Sequence, residues 1–120
     1  MEKNFSFSHL ENELIPEFRD RVNTSEDILD LKNLFAYTMA LLLKGVFLEK
    51  INFNQQDVVF DPQAENYLKI TPTLARNSDF LKMAGTSDLL KVMGRFSHTI
   101  HNRYLHLLRH PPKRAIKIRK

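Results

Sequence analysis

The stretch TSEDILDLKNLFAYTMALLLKGVFLEK, residues 24–50, decides the fold. Thr24 and Ser25, followed by Glu26 and Asp27, form a helix-start signal, because hydroxyls accept the orphan N–H groups of a first turn and carboxylates suit its positive end. The helix they open is expected to run to about Lys50. From Leu34 to Leu43 it is apolar nearly all round, the pattern of a helix packed on several sides, so it should form the centre of the core. The apolar run extends to Leu48 but is interrupted by Lys44 and Gly45. It falls short of the roughly 20 residues that cross a bilayer, so a buried helix is expected and no membrane partner.

Toward the N-terminus, Ser8 can cap a first helix whose apolar residues Leu10, Leu14, Phe18 and Val22 recur at i+4, with Pro16 marking a kink or a restart. Toward the C-terminus the helical period stops between Asn52 and Pro72. There Val58-Val59-Phe60 and Tyr67-Leu68-Lys69-Ile70 flank a turn-like segment, predicting a short β-hairpin or an extended excursion over residues 52–72. Asn77-Ser78-Asp79 caps a short helix ending at Gly85, and Thr86-Ser87-Asp88 caps a final long helix to about His110, stopped by Pro111-Pro112. The fold class that follows is mainly α: a small bundle of about four helices. Residues 1–110 are expected to form a single helical domain and 111–120 a basic C-terminal tail.

Composition agrees with a folded domain. The 120 residues are 42% apolar and 27% charged, near the globular average and far from the signature of disorder. There is no cysteine. Disulfide frameworks, thiolate zinc sites and cysteine nucleophiles are thereby excluded, and a reducing compartment is suited, with cytoplasm the expectation. The opening MEKNFSFSHLENELIPEF is too acidic and too polar for a secretory signal.

The formal charge of +4 conceals a division along the chain. Residues 1–90 carry nine Lys/Arg against fourteen Asp/Glu, a net of −5, whereas residues 91–120 carry nine Lys/Arg and no acid. Four of the five histidines also lie in that last stretch: His98, His101, His106 and His110. At 100° per residue, Lys91, Arg95, His98, Asn102, His106 and Arg109 share one sector of the final helix, and Leu89, Met93, Phe96, Ile100, Tyr104 and Leu107 share the opposite one. One stripe seeks the core; the other seeks water, an acidic neighbour or a negatively charged partner. The binding residues expected are Lys91, Arg95, Arg103 and Arg109, continued by Lys113, Arg114, Lys117, Arg119 and Lys120 of the tail. Such a strip can neutralise several phosphates.

The leading expectation is a small accessory or regulatory protein that binds nucleic acid non-specifically, since no base-reading motif is present. A non-enzymatic adaptor docking an acidic protein through the same face is the alternative. Exposed faces of the all-round apolar segment further suggest a homo-oligomer. The strip's histidines should strengthen binding as pH falls toward about 6.5, where imidazole gains charge.

The histidines raise other chemistries. Within FSHTIHNRYLHLL, His98 and Asn102 stand at i and i+4, which resembles the phosphoacceptor box of two-component histidine kinases and helical phosphotransferases. That resemblance implies His98 as phosphoacceptor with Asn102 positioning the partner. Thr99 stands where that family has an acid. Arg95 with His101, and Arg103 with His110, are similar in spacing to the arginine–histidine motif of small helical ribonucleases, although Phe96 and Tyr104 replace the polar residue usual after the arginine. TSEDILDLKNLFAYTMALLLKG and LKMAGTSDLL look similar to stretches of the D-subunit flagellar regulators, which implies a DNA-associated role. His106 and His110 have a metal-compatible i, i+4 spacing, but nothing nearby completes a site, so neither metal nor cofactor is expected. Gly45, Gly85 and Gly94 are too scattered for a phosphate-cradling loop. An enzyme is not the first expectation.

Overall fold

A computed structural model of the chain describes residues 6–48 and 50–110. The tail residues Lys113, Arg114, Lys117, Arg119 and Lys120 lie outside the described residues. The order is α1 (Ser8–Thr24), α2 (Ile28–Phe47), β1 (Val58–Phe60), a 3-10 turn (Glu65–Tyr67), β2 (Leu68–Ile70), α3 (Pro72–Ala75), α4 (Ser78–Thr86) and α5 (Leu89–Arg109). The protein is therefore a helical bundle with a small antiparallel hairpin.

The helix starts show which side chains win the competition for orphan N–H groups. Asp27, not Thr24 or Ser25, caps α2, its carboxylate accepting from Asp30 N at 2.8 Å. The Thr24 and Ser25 hydroxyls instead turn back and donate to Arg21 O at the end of α1. Local back-bonding of this kind is the usual rival of capping for Ser and Thr. Ser8 is likewise the first residue of α1 rather than its cap, which is Phe7. Phe7 N donates 2.8 Å to the Asp88 carboxylate, and Ser6 Oγ donates to the same group. An acid at the start of α5 thus supplies the anion for the start of α1. Pro16 neither breaks nor restarts α1; it is exposed, so the carbonyl it leaves without a helical donor lies on the wet side.

Central α2 is packed by α1, α5 and β1, as its apolar composition predicts. Leu31, Phe35, Met39, Leu42 and Leu43 are essentially inaccessible. They meet Phe18 and Val22 of α1, Val58 and Phe60 of β1, and Leu89, Val92, Met93, Phe96 and Ile100 of α5. Tyr37 and Leu41 remain 43% and 36% exposed. Gly45 permits close approach of α1, since a Cβ there would stand 2.9 Å from a Leu10 methyl.

The hairpin pairs Val58 with Ile70, Val59 with Lys69 and Phe60 with Leu68. Its base is closed by the buried Asp57 carboxylate, which accepts from Asn54 N at 2.6 Å and Thr71 Oγ1 at 2.8 Å. Thr71 Oγ1 in turn caps α3. Asn77 caps α4 by accepting from Phe80 N at 3.0 Å, as its position in the sequence predicts. No helix among the described residues is long and apolar enough to cross a membrane.

Candidate functional site: the outward face of the last helix

α5 is strongly amphipathic because its sequence alternates at helical spacing. Lys91, Arg95, His98, Asn102, His106 and Arg109 are all exposed, while Leu89, Met93, Phe96, Ile100 and Leu107 are buried and Tyr104 is half-buried. The outward stripe is therefore continuous over five turns of helix.

Its cations are not equally free. Arg95 Nε and Nη2 donate to Glu11 Oε2 and Oε1 at 2.7 and 2.8 Å, a bidentate pair tying α5 to α1. Glu11 is only 7% exposed. Its hydrogen bond raises the Arg95 pKa above the ordinary arginine value. Arg103 points away from the stripe: Nη2 donates to Ser25 O at 2.9 Å, and its Nε is buried without a partner among the described residues. Lys91 and Arg109 make no ion pair or side-chain hydrogen bond among the described residues. Of the four helix cations named from sequence, two are thus committed to holding the bundle together and two are available to a partner.

The histidines separate in the same way. His101 is half-buried beneath the hairpin, its ring parallel to Tyr67 at 2° with centroids 3.7 Å apart. Phe60 and Tyr104 surround it at 6.4 and 5.9 Å. Desolvation, and next the charge of neighbouring His98, lower its pKa. His98 is exposed, with its ring edge-on to Tyr67 at 4.8 Å. His106 and His110 stand side by side at 4.8 Å near the end of the helix. No group of three or more His, Asp or Glu capable of holding a metal occurs among the described residues.

Sequence reasoning missed the contact that positions this cluster. Tyr67 reaches His101 because Asn66 and Tyr67 both adopt positive φ, 57° and 65°. Such backbone is unfavourable for a bulky residue and persists only where its surroundings over-determine it. Here Tyr67 N donates to Ala64 O, Tyr67 O accepts from Asp61 N, and Ser97 Oγ donates to Asn66 O at 2.6 Å. Asn66 was the one available signal, since Asn tolerates the left-handed region. Comparison of the chain with protein-family models, with curated proteins and with solved structures finds no match.

Proposed function

We propose that this protein binds nucleic acid through the outward face of α5 and the basic tail, as a small accessory or regulatory protein of a reducing compartment such as the cytoplasm. One observation carries this reading: a five-turn exposed stripe of cations, imidazoles and an amide, on a helix whose opposite face is mostly buried in the core, in a segment without any acid. Lys91 and Arg109 are the helix residues free to meet phosphates, and Asn102 and His98 between them can donate to the backbone. Arg95 and Arg103 serve mainly to hold α5 against α1 and the α1–α2 junction. With only backbone contacts on offer, binding is insensitive to sequence.

The test is fluorescence anisotropy with short duplex DNA, single-stranded DNA and RNA. Lys91→Ala combined with Arg109→Ala should weaken binding to all sequences of the preferred nucleic acid equally, with unchanged circular dichroism. An absence of binding to any nucleic acid at 50 mM salt would reject the reading and leave the stripe as a dock for an acidic protein.

A further inference from the structure

The α5 stripe carries a braced ring as well as charge. His98 is exposed between the two free cations, about 10 Å along the helix from Lys91 and about 16 Å from Arg109. An imidazole on a helix surface ordinarily exchanges among staggered rotamers. Here the Tyr67 ring stands edge-on to it at 4.8 Å, and Tyr67 is itself stacked on His101 at 3.7 Å. His101 and Tyr67 are half-buried, so His98 is the outermost member of the three. Tyr67 is held in this place by the two consecutive left-handed residues Asn66 and Tyr67, in a 3-10 turn that packs on α5. Costly backbone of that kind clusters at ligand clamps and switch regions, where it delivers a side chain that a relaxed turn would not.

We infer that His98, positioned by Tyr67, is a stacking platform for an unpaired base, so that the ligand of the stripe is a single-stranded nucleic acid rather than a duplex. The inference rests on the nucleic-acid reading of α5 and adds to it the class of nucleic acid. A single strand is bound by charge that tracks its phosphates and by rings on which its bases stack. Lys91 and Arg109 supply the first on either side of His98, which supplies the second. A duplex has no use for the ring, because its base faces are closed by its own stacking and it presents only phosphates, sugars and groove edges. Stacking reads no base identity, since every base has a π-face, so the insensitivity to sequence is kept. Tyr67 acts through His98 and is a positioning residue.

Anisotropy titration of the full chain at pH 8, where imidazole as a class carries no charge, separates the ring from charge. The probes are a twelve-nucleotide oligothymidylate, an oligouridylate of the same length, an abasic strand with the same phosphates, and a twelve-base-pair duplex. At least one of the two base-bearing strands should bind about tenfold or more tighter than the abasic strand, and the tighter of the two identifies DNA or RNA as the source. His98→Ala should remove most of that difference while leaving the abasic and duplex affinities within about twofold. It should also lower log K for the base-bearing strand without changing its slope against log salt, because no cation is lost. His98→Tyr keeps a ring and should restore the difference. Tyr67→Ala should reduce it and Tyr67→Phe retain it. If Tyr67→Ala fails to fold, the exposed His98 substitutions decide the question alone. Equal affinity for base-bearing and abasic strands, or a His98→Ala loss shared by the duplex, would overturn the platform and leave the charge reading of the stripe standing. An absence of binding to all four probes would overturn both.

Discussion

At the scale of single residues, Glu11 and Arg95 are unequal members of one pair. Glu11 is almost wholly buried, whereas the Arg95 side chain is 54% exposed. Arg95→Ala strands a carboxylate without its two donors and should cost about 1–3 kcal/mol in a urea unfolding experiment. Glu11→Gln keeps an acceptor in place and leaves the guanidinium to water, so it should cost less than about 1 kcal/mol. Equal losses would mean that the pair contributes mainly by packing. His101 supplies a second contrast. Its pKa in the folded protein lies below the unfolded value of about 6.5, so between the two values the unfolded chain binds more protons. The stabilisation is complete above about pH 6.5 and is lost as pH falls through that value toward the lower, folded pKa. Besides His98, the groups around His101 among the described residues are the rings of Tyr67, Phe60 and Tyr104. Thermal unfolding at pH 7.5 and 5.5 should therefore show a smaller acid loss in His101→Phe than in the parent.

At the scale of elements, the glycines distinguish helices that meet a neighbour from helices that meet water. A Cβ at Gly85 or Gly94 would touch nothing within 4 Å, whereas one at Gly45 would press on Leu10. Gly94→Ala should therefore stabilise α5 by about 0.5–1 kcal/mol, the ordinary cost of a mid-helix glycine. Gly45→Ala should recover less or destabilise, because Leu10 must move from between α1 and α2. Differential scanning calorimetry resolves a difference of this size. The elements themselves were largely legible from local chemistry: the all-round apolar Leu34–Leu43, the Asn77 cap, and the hairpin bracketed by Val58–Phe60 and Leu68–Ile70 each announce themselves in a few adjacent residues. Illegible were the features that distant residues decide. Whether Ser8 or Thr24 caps a helix depends on carbonyls and carboxylates elsewhere, as Asp88 shows for α1. The stacking of Tyr67 on His101 needs two consecutive left-handed residues and a Ser97 hydroxyl, none of which a period reveals. At the candidate site, the outward stripe of α5 could be read from spacing, but not which of its arginines was already engaged; the 3-10 turn likewise takes its place through contacts with α5.

At the scale of the molecule, what separates the α5 stripe from an ordinary solvated face is how its charge is distributed. Across residues 1–90 acids and bases interleave, as in the exposed i, i+4 pairs His9–Glu13 and Glu17–Arg21, so that surface presents no continuous field. Beyond residue 90 every charge has one sign. A field of that kind acts on a polyanion by releasing counterions, and the number released is read from the salt dependence: log K falls by about 0.9 per log unit of salt for each duplex phosphate neutralised. With Arg95 and Arg103 committed internally, the cations left to a partner are Lys91, Arg109 and the five of the tail. If all seven engage duplex DNA at pH 8, where histidine as a class is neutral, the slope should approach about −6, a loss of three to four orders of magnitude between 50 and 200 mM salt. A chain ending at His110 keeps only the helix pair and should show a slope near −2, about a tenfold loss over the same range. A truncated chain that retained the steep slope would place Arg95 and Arg103 back among the phosphate contacts, which requires α5 to give up Glu11 and Ser25 on binding. The same titration with Glu11→Gln would then show that exchange as a tighter complex, since Arg95 would leave a weaker partner.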